Sequence, residues 1–182
     1  EQDRGYVGAA AYPKFVGGLS FSGDWKGIDL SFLFQAGLGR DVALTGVYSG
    51  GIMDNTQMTK PFYHGGNSPK YLVENSWRED NTNAEFPRLS IVQASSNNAY
   101  SSTFWYRSGD YLRLKNLQIG YTFPQKWMSR IGIDRLRIYF EGQNLWTVSE
   151  LTKFNIDPEQ PGVSNGYYPQ QRIFSFGVNL AF

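Results

Sequence analysis

The residue types that most often carry catalysis or bind metals are scarce in this chain. His64 is the only histidine, and cysteine is absent. A Ser-His-Asp arrangement needs a histidine beside its nucleophile, and a zinc site needs several histidine or cysteine ligands. We therefore interpret His64 as a solvated loop residue. The sequence predicts no enzymatic activity, no cofactor and no bound metal.

Two small groups of acidic residues are the remaining candidates for cation binding. Glu79, Asp80 and Glu85 fall within one stretch, and Asp157 and Glu159 within another. A calcium loop needs several oxygen ligands at close and regular spacing, as in an EF-hand. Neither group has that spacing, so both are interpreted as solvated loop carboxylates.

Aromatic side chains are the remaining candidates for binding, since the chain has 12 Tyr, 13 Phe and 5 Trp. An exposed ring in a loop can stack on a sugar or pack against a partner protein. A buried ring would instead pack the long loops against each other, and both alternatives stay open at this point. The candidates in or beside the predicted loops are Trp77, Trp105, Tyr106, Tyr167 and Tyr168.

Alternation of apolar and polar residues predicts five β-strands. The pattern is clearest at the end of the chain, where every even position from Phe174 to Phe182 is large and apolar. Strict period-2 alternation is typical of a strand with one apolar face. The predicted strands cover approximately residues 15–22, 28–36, 111–123, 136–146 and 172–182.

The third predicted strand departs from simple alternation. Arg113 and Lys115 share the parity of the apolar residues Leu117 and Ile119. Two explanations remain open. The basic side chains can extend towards lipid phosphates at a membrane interface, or a bulge can reverse the parity above Asn116.

The connections between the strands alternate in length. Residues 24–27 and 124–135 are short turns, whereas 37–110 and 147–171 are long. Long connections are uncommon in compact soluble domains, but outer-membrane barrels have short periplasmic turns and long extracellular loops. We therefore predict an all-β, transmembrane antiparallel β-barrel in outer-membrane lipid. Its carboxy-terminus would be periplasmic, and its two long loops would be extracellular.

Composition is compatible with this fold but does not prove it. The formal net charge of +1 gives no reason to expect a nucleic-acid partner. A secreted β-sandwich, such as a carbohydrate-binding module, fits the composition as well.

Five strands cannot close a barrel, because the smallest barrel has about eight strands. We therefore expect the chain to be the carboxy-terminal part of a larger barrel, with the upstream strands outside it.

Several segments resemble those of SusC/RagA-type outer-membrane proteins, which are TonB-dependent transporters of Bacteroidota. The run SGDYLRLKNLQIGYTFP at 108–124 carries the strongest resemblance. In the last matching segment, Gln171 stands where the family has a second proline. The other similar segments are 13–35, 83–88, 136–146, 155–159 and 168–177, together with Trp77.

The resemblance implies a 22-stranded barrel, of which this chain would supply the last five strands. It implies import of large nutrients, glycans or peptides, together with a SusD-like surface lipoprotein that covers the extracellular mouth. TonB would supply the energy through the amino-terminal plug. An outer-membrane adhesin or structural barrel with the same barrel end is the alternative.

Two sets of residues receive roles on this interpretation. Arg137, Tyr139, Glu141 and Gln143 share the polar parity of the fourth strand, so we expect them to face the barrel lumen and the plug. The end of the last strand resembles the signal that the barrel-assembly machinery recognises in its clients. The residues of that signal would be Phe174, Phe176 and Phe182.

Overall fold

A computed structural model of the protein describes Gly5 and residues 10–44, 69–89, 102–161 and 170–182. These residues belong to two compact units. The sheet unit consists of Pro13–Leu38, Asp110–Ser149 and Gln170–Phe182. The loop unit consists of the described residues within Glu1–Tyr12, Gly39–Gly109 and Glu150–Pro169. Among the described residues, no helix combines the length and the apolarity needed to cross a membrane.

The described residues form seven strands and a few short helices. The strands are β1 (Phe15–Trp25), β2 (Ile28–Leu38), β3 (Asp41–Ala43), β4 (Tyr106–Ser108), β5 (Tyr111–Thr122), β6 (Arg135–Ser149) and β7 (Ile173–Ala181). The α-helices are α1 (Lys70–Glu74) and α2 (Gln125–Met128), and the 3-10 helices cover Thr103–Trp105, Ser129–Ile131 and Glu150–Phe154.

The sheet unit is one antiparallel sheet with the strand order β1-β2-β5-β6-β7. All five predicted strands are therefore confirmed, and the prediction of an all-β antiparallel fold is confirmed with them. β1 and β2 each have 11 residues and β6 has 15. These strands are longer than the predicted ones, because hydrogen-bonded pairing continues past the point where alternation is obvious in the sequence.

A two-residue turn joins β1 to β2. Lys26 and Gly27 both have positive φ, at 49° and 87°. This left-handed conformation matches the twist of a tight antiparallel hairpin, and glycine adopts it without steric cost. The Gly27 carbonyl then accepts a hydrogen bond of 2.7 Å from the Thr122 backbone N–H, which ties the turn to the end of β5.

A bulge in β5 resolves the parity of the basic residues. Leu33 of β2 pairs with Asn116 and Phe34 pairs with Leu114, so Lys115 is the extra residue. An extra residue reverses which face the following side chains occupy. Leu114 therefore joins the apolar face, and Arg113 joins the polar face. Of the two explanations that the sequence left open, the structure supports the bulge.

The loop unit contains a small core and a short two-stranded sheet. β3 pairs with β4 in antiparallel register, from Asp41 opposite Ser108 to Ala43 opposite Tyr106. The sequence indicated only a short extended segment at 103–107, which overlaps β4; β3 and the pairing were not predicted, because three residues are too few for an alternating pattern to be visible. The buried core of this unit comprises Val42, Leu44, Leu72, Phe86, Trp105, Leu151, Phe154 and Ile156.

Candidate functional site

One face of the sheet unit is apolar and exposed. Direct cross-strand partners share a face, so the rows Phe21–Phe32–Leu117 and Ile28–Tyr121–Ile138–Val178 identify this surface. Phe176 is 83% exposed and Phe182 is 84% exposed. A soluble protein would bury such a face against another layer. Its large exposed members are Phe15, Leu19, Phe21, Trp25, Ile28, Leu38, Leu112, Ile119, Ile138, Trp146, Val148, Phe174, Phe176, Val178 and Leu180.

The opposite face is polar and includes the four residues that were predicted to share it. Glu141 lies opposite Gln118 of β5 and Ser175 of β7, and Gln143 lies opposite Asn116. The Gln143 amide donates a hydrogen bond of 3.2 Å to Glu141 Oε1. Tyr139 and Arg137 occupy the same parity on β6 and complete the group.

An ion pair crosses the polar face from β6 to β2. Arg137 Nε donates to Asp29 Oδ2 at 2.9 Å, and a second guanidinium nitrogen contacts Oδ1. This bidentate geometry is the strong form of a carboxylate–guanidinium contact. The Arg137 guanidinium also lies 4.8 Å from the centroid of the Tyr139 ring. The sequence did not indicate Asp29, whose partner lies 108 residues away.

Glycines in the neighbouring strands make room for these side chains. A Cβ at Gly120 would collide with the Asp29 carboxylate and the Arg137 guanidinium. A Cβ at Gly177 would collide with the Tyr139 ring. Arg137 and Tyr139 therefore lie flat across the adjacent strands. Glycine at both positions leaves the space that the ends of these side chains occupy, and neither position has a positive φ.

The polar face has a second set of contacts at its other end, beyond the bulge. The Gln35 amide donates to the Tyr111 hydroxyl at 3.1 Å, and Arg113 Nε donates to Thr147 Oγ1 at 2.9 Å. Tyr111 and Arg113 are buried. A charged group is rarely buried without polar partners, so the bulge matters because it directs Arg113 to the polar face.

The loop unit is held together by a polar cluster around Glu85. The Tyr71 hydroxyl donates to Glu85 Oε2 at 2.7 Å, and Lys153 donates to Oε1 at 3.0 Å. Arg107 also donates to Oε1, at 3.2 Å. A second carboxylate, Glu150, lies 3.7 Å from Arg107. The cluster therefore joins residues of both long connections.

The hydrogen bonds of this cluster shift the pKa values of Tyr71 and Glu85. The hydrogen bond to the Glu85 carboxylate, assisted by burial, raises the pKa of Tyr71 to about 12. Burial alone would raise the pKa of Glu85, but the hydrogen bonds from Tyr71 and Lys153 outweigh it and hold that pKa below its ordinary value. Glu85 is therefore anionic at neutral pH, and it is not the solvated carboxylate that the sequence predicted.

The aromatic candidates separate by burial. Trp105 is 3% exposed and belongs to the core of the loop unit, as the packing alternative predicts, so its ring is not available to a ligand there. Tyr106 is half-buried in β4. Trp77 is 37% exposed and keeps its candidacy. Tyr167 and Tyr168 lie outside the described residues.

Trp77 borders a surface pocket of the loop unit. The pocket has a volume of about 390 Å³ and is lined by Arg78, Glu79, Arg88 and four other residues. Arg78 forms an ion pair with Asp80, at 3.2 Å. An exposed indole beside guanidinium groups is a common composition for protein contact surfaces.

The structure offers no ligand set for a metal in the part that it describes. Within those ranges, no three histidine, cysteine, aspartate or glutamate side chains converge. His64 lies outside the described residues. The described residues present three surfaces suited to noncovalent binding: the apolar face and the polar face of the sheet unit, and the loop surface around Trp77.

Comparison with known proteins gives a consistent result. The chain is 28% identical over 99% of its length to TonB-dependent receptor P3 of Formosa agariphila and covers 17% of that protein. Over 56% of its length it is 30% identical to the TonB-dependent receptor SusC of Bacteroides thetaiotaomicron, of which it covers 10%. The chain thus spans less than a fifth of these relatives. They are receptors rather than enzymes, in agreement with the prediction. No family model matches the chain.

Solved structures agree with the sequence matches. The structure of the RagAB peptide importer in the "closed-closed" state matches with a TM-score of 0.65 and 26% identity. The match covers 97% of this chain and 18% of that chain. The structure of the same importer in the "open-open" state matches with a TM-score of 0.62 and the same identity. TonB-dependent receptors of this kind are outer-membrane β-barrel proteins, and the two-faced antiparallel sheet fits a segment of such a barrel. In sequence and in fold, this chain is therefore similar to a barrel portion of SusC/RagA-type TonB-dependent transporters.

Proposed function

We propose that this chain forms part of the membrane wall of a TonB-dependent importer of large nutrients, glycans or peptides, which works together with a SusD-like surface lipoprotein. The observation that carries the proposal is the contrast between the two faces of the sheet unit. One face exposes Phe, Leu, Ile, Val and Trp from all five strands. The other presents carboxylate, guanidinium and amide groups.

This contrast has a direct physical meaning in a bilayer. The apolar face would contact lipid, and the polar face would line the lumen, where Arg137, Tyr139, Glu141 and Gln143 meet the plug or the passing substrate. The outer edges of β1 and β7 would leave unpaired backbone groups in lipid, which is energetically prohibitive. Further strands would pair with both edges and close the barrel.

The two long connections, 37–110 and 147–171, would lie outside the cell. Their described residues share a core and the Glu85 cluster, so they are organised as one folded unit. The surface around Trp77 is our candidate for contact with the lid lipoprotein or the substrate. The carboxy-terminus would then be periplasmic, where TonB acts through the plug.

The placement of the apolar face is tested by assembly of the intact protein. Phe176→Asp and Phe182→Asp place a carboxylate on the proposed lipid side and remove an aromatic group of the proposed assembly signal. We expect both variants to be lost from the outer-membrane fraction. Asn179→Asp is the matched control, because it adds the same charge on the polar face, opposite Arg137. Normal assembly of the Phe176 variant would refute the proposed orientation.

The transport role is tested separately. Intact protein carrying an affinity tag should be extracted in detergent, and co-purifying lipoproteins identified by mass spectrometry. Growth of a deletion strain on defined glycans and peptides then identifies the nutrient class. Recovery without a lipoprotein, together with unchanged growth on both classes, would contradict the import role and favour an adhesin or structural barrel.

A further inference from the structure

We propose that the turn between β5 and β6 binds the headgroups of anionic phospholipids and anchors this end of the sheet in the lipid leaflet. The proposal rests on the membrane-spanning role of the sheet unit. The turn, residues 124–134, contains α2 and the 3-10 helix Ser129–Ile131. It is the longer of the two short connections, and a connection that only reversed the chain would need just two residues, as between β1 and β2.

The turn exposes two large apolar side chains. Trp127 is 56% exposed and Ile131 is 65% exposed, whereas Met128 between them is buried. The spacing of four residues is that of neighbours along one side of a helical turn. Met128 is buried, so the turn presents Trp127 and Ile131 on its outer side. A tryptophan at the end of a membrane strand is suited to the boundary between lipid and water.

The same turn carries two cations with the same spacing. Lys126 and Arg130 each precede one of the exposed apolar residues. Both side chains are exposed, and neither forms an ion pair with the residues that the structure describes. Asp134 is the only carboxylate of the turn, and Arg135 follows it directly. Cations that border apolar groups are the composition of a segment that lies in an anionic membrane interface.

The neighbouring end of the sheet continues this surface. The β1–β2 turn lies at the same end, with Trp25 exposed and the Lys26 ammonium 4.6 Å from its ring centroid. Phe182 ends the chain there as well. The aromatic groups extend the apolar face, and the cations extend the proposed headgroup site. Continuity with a lipid-facing surface, together with charge complementarity, points to a phospholipid rather than to a soluble phosphate compound.

The test uses the intact protein in nanodiscs that contain phosphatidylethanolamine and phosphatidylglycerol. Lipids that remain bound after extraction from the discs are quantified by mass spectrometry. We expect phosphatidylglycerol to be enriched around the wild type and the enrichment to fall in Lys126→Gln/Arg130→Gln, by about five-fold for each cation. The control Lys70→Gln/Arg88→Gln removes two exposed cations from the loop unit and should leave the enrichment unchanged.

Two further arms make the outcome unambiguous. Excess inorganic phosphate should not abolish the enrichment, since the apolar contacts of Trp127 and Ile131 require a lipid; abolition by phosphate would show a simple anion site. Brominated lipids should quench a fluorescence component that Trp127→Phe removes. An inserted wild type without phosphatidylglycerol enrichment would overturn this inference alone, whereas failure of the wild type to insert would overturn the proposed membrane role.

Discussion

The Glu85 cluster allows the most quantitative prediction about this protein. Replacing Glu85 with Gln removes the charge while keeping the side-chain shape. Three donors converge on the carboxylate: Tyr71 at 2.7 Å, Lys153 at 3.0 Å and Arg107 at 3.2 Å. In Glu85→Gln, the neutral amide can still accept a hydrogen bond, but the two cations lose their shared counter-charge.

The size of the effect follows from burial and geometry. The Arg107 and Glu85 side chains are only 13% and 27% exposed. Hydrogen bonds to charged groups contribute about 1.5–3 kcal/mol each. The loss of stability in Glu85→Gln is smaller than the sum of these contributions, because solvent partly screens the charges and the Gln amide still accepts a hydrogen bond. We expect the loop unit to be destabilised by about 2 kcal/mol, which corresponds to an equilibrium constant for local opening that is about thirty-fold larger.

Hydrogen exchange of the intact protein in detergent measures this opening. The reporters are backbone amides that the loop unit protects, such as Leu44 N–H, which donates to the Trp105 carbonyl at 2.8 Å. The matched control is Glu74→Gln, which breaks an exposed ion pair with Lys70 in the same unit. That pair should contribute well under 1 kcal/mol. Equal exchange rates in the two variants would refute the role of the cluster.

Three other predictions follow from the same structure. Gly120→Val should slow or prevent barrel assembly, because the new side chain overlaps the Asp29 carboxylate; unchanged yield would contradict the close approach. The folded-state pKa of Glu85 is lowered, so its stabilising effect is present above the unfolded value near 4.5 and is lost as pH falls below it. Loop-unit exchange should therefore accelerate in acid more in the wild type than in Glu85→Gln. Trp105→Ala should cost about 3–5 kcal/mol, whereas Trp77→Ala should cost about 0.5 kcal/mol; equal losses would contradict their different burial.

The five long strands could be predicted from the sequence because their signal is local. A strand places alternate residues on opposite faces, so one apolar face leaves a visible period of two. The terminal alternation from Phe174 to Phe182 shows this directly. The same reasoning put Arg137, Tyr139, Glu141 and Gln143 on one polar face, and the register of β6 is consistent with this. That they face a lumen or a plug stays a prediction.

The short strands β3 and β4 and the Glu85 cluster could not be predicted in the same way. Three-residue strands show no period, and the cluster depends on partners that are distant in sequence, such as Lys153 at a separation of 68 residues. In the sequence, Glu85 could not be distinguished from a solvated loop carboxylate. Only a packed loop unit brings Tyr71, Arg107 and Lys153 to one carboxylate.

The sequence by itself determined which segments have two faces and how long the connections between them are, because alternation and length are properties of neighbouring residues. Tertiary structure alone decided the rest. The bulge at Lys115 became certain only from the pairing of β5 with β2. The absence of a side chain at Gly120 matters only because Asp29 and Arg137 form their ion pair in the space beside it. Both depend on cross-strand register, which is fixed by contacts between residues far apart in the chain.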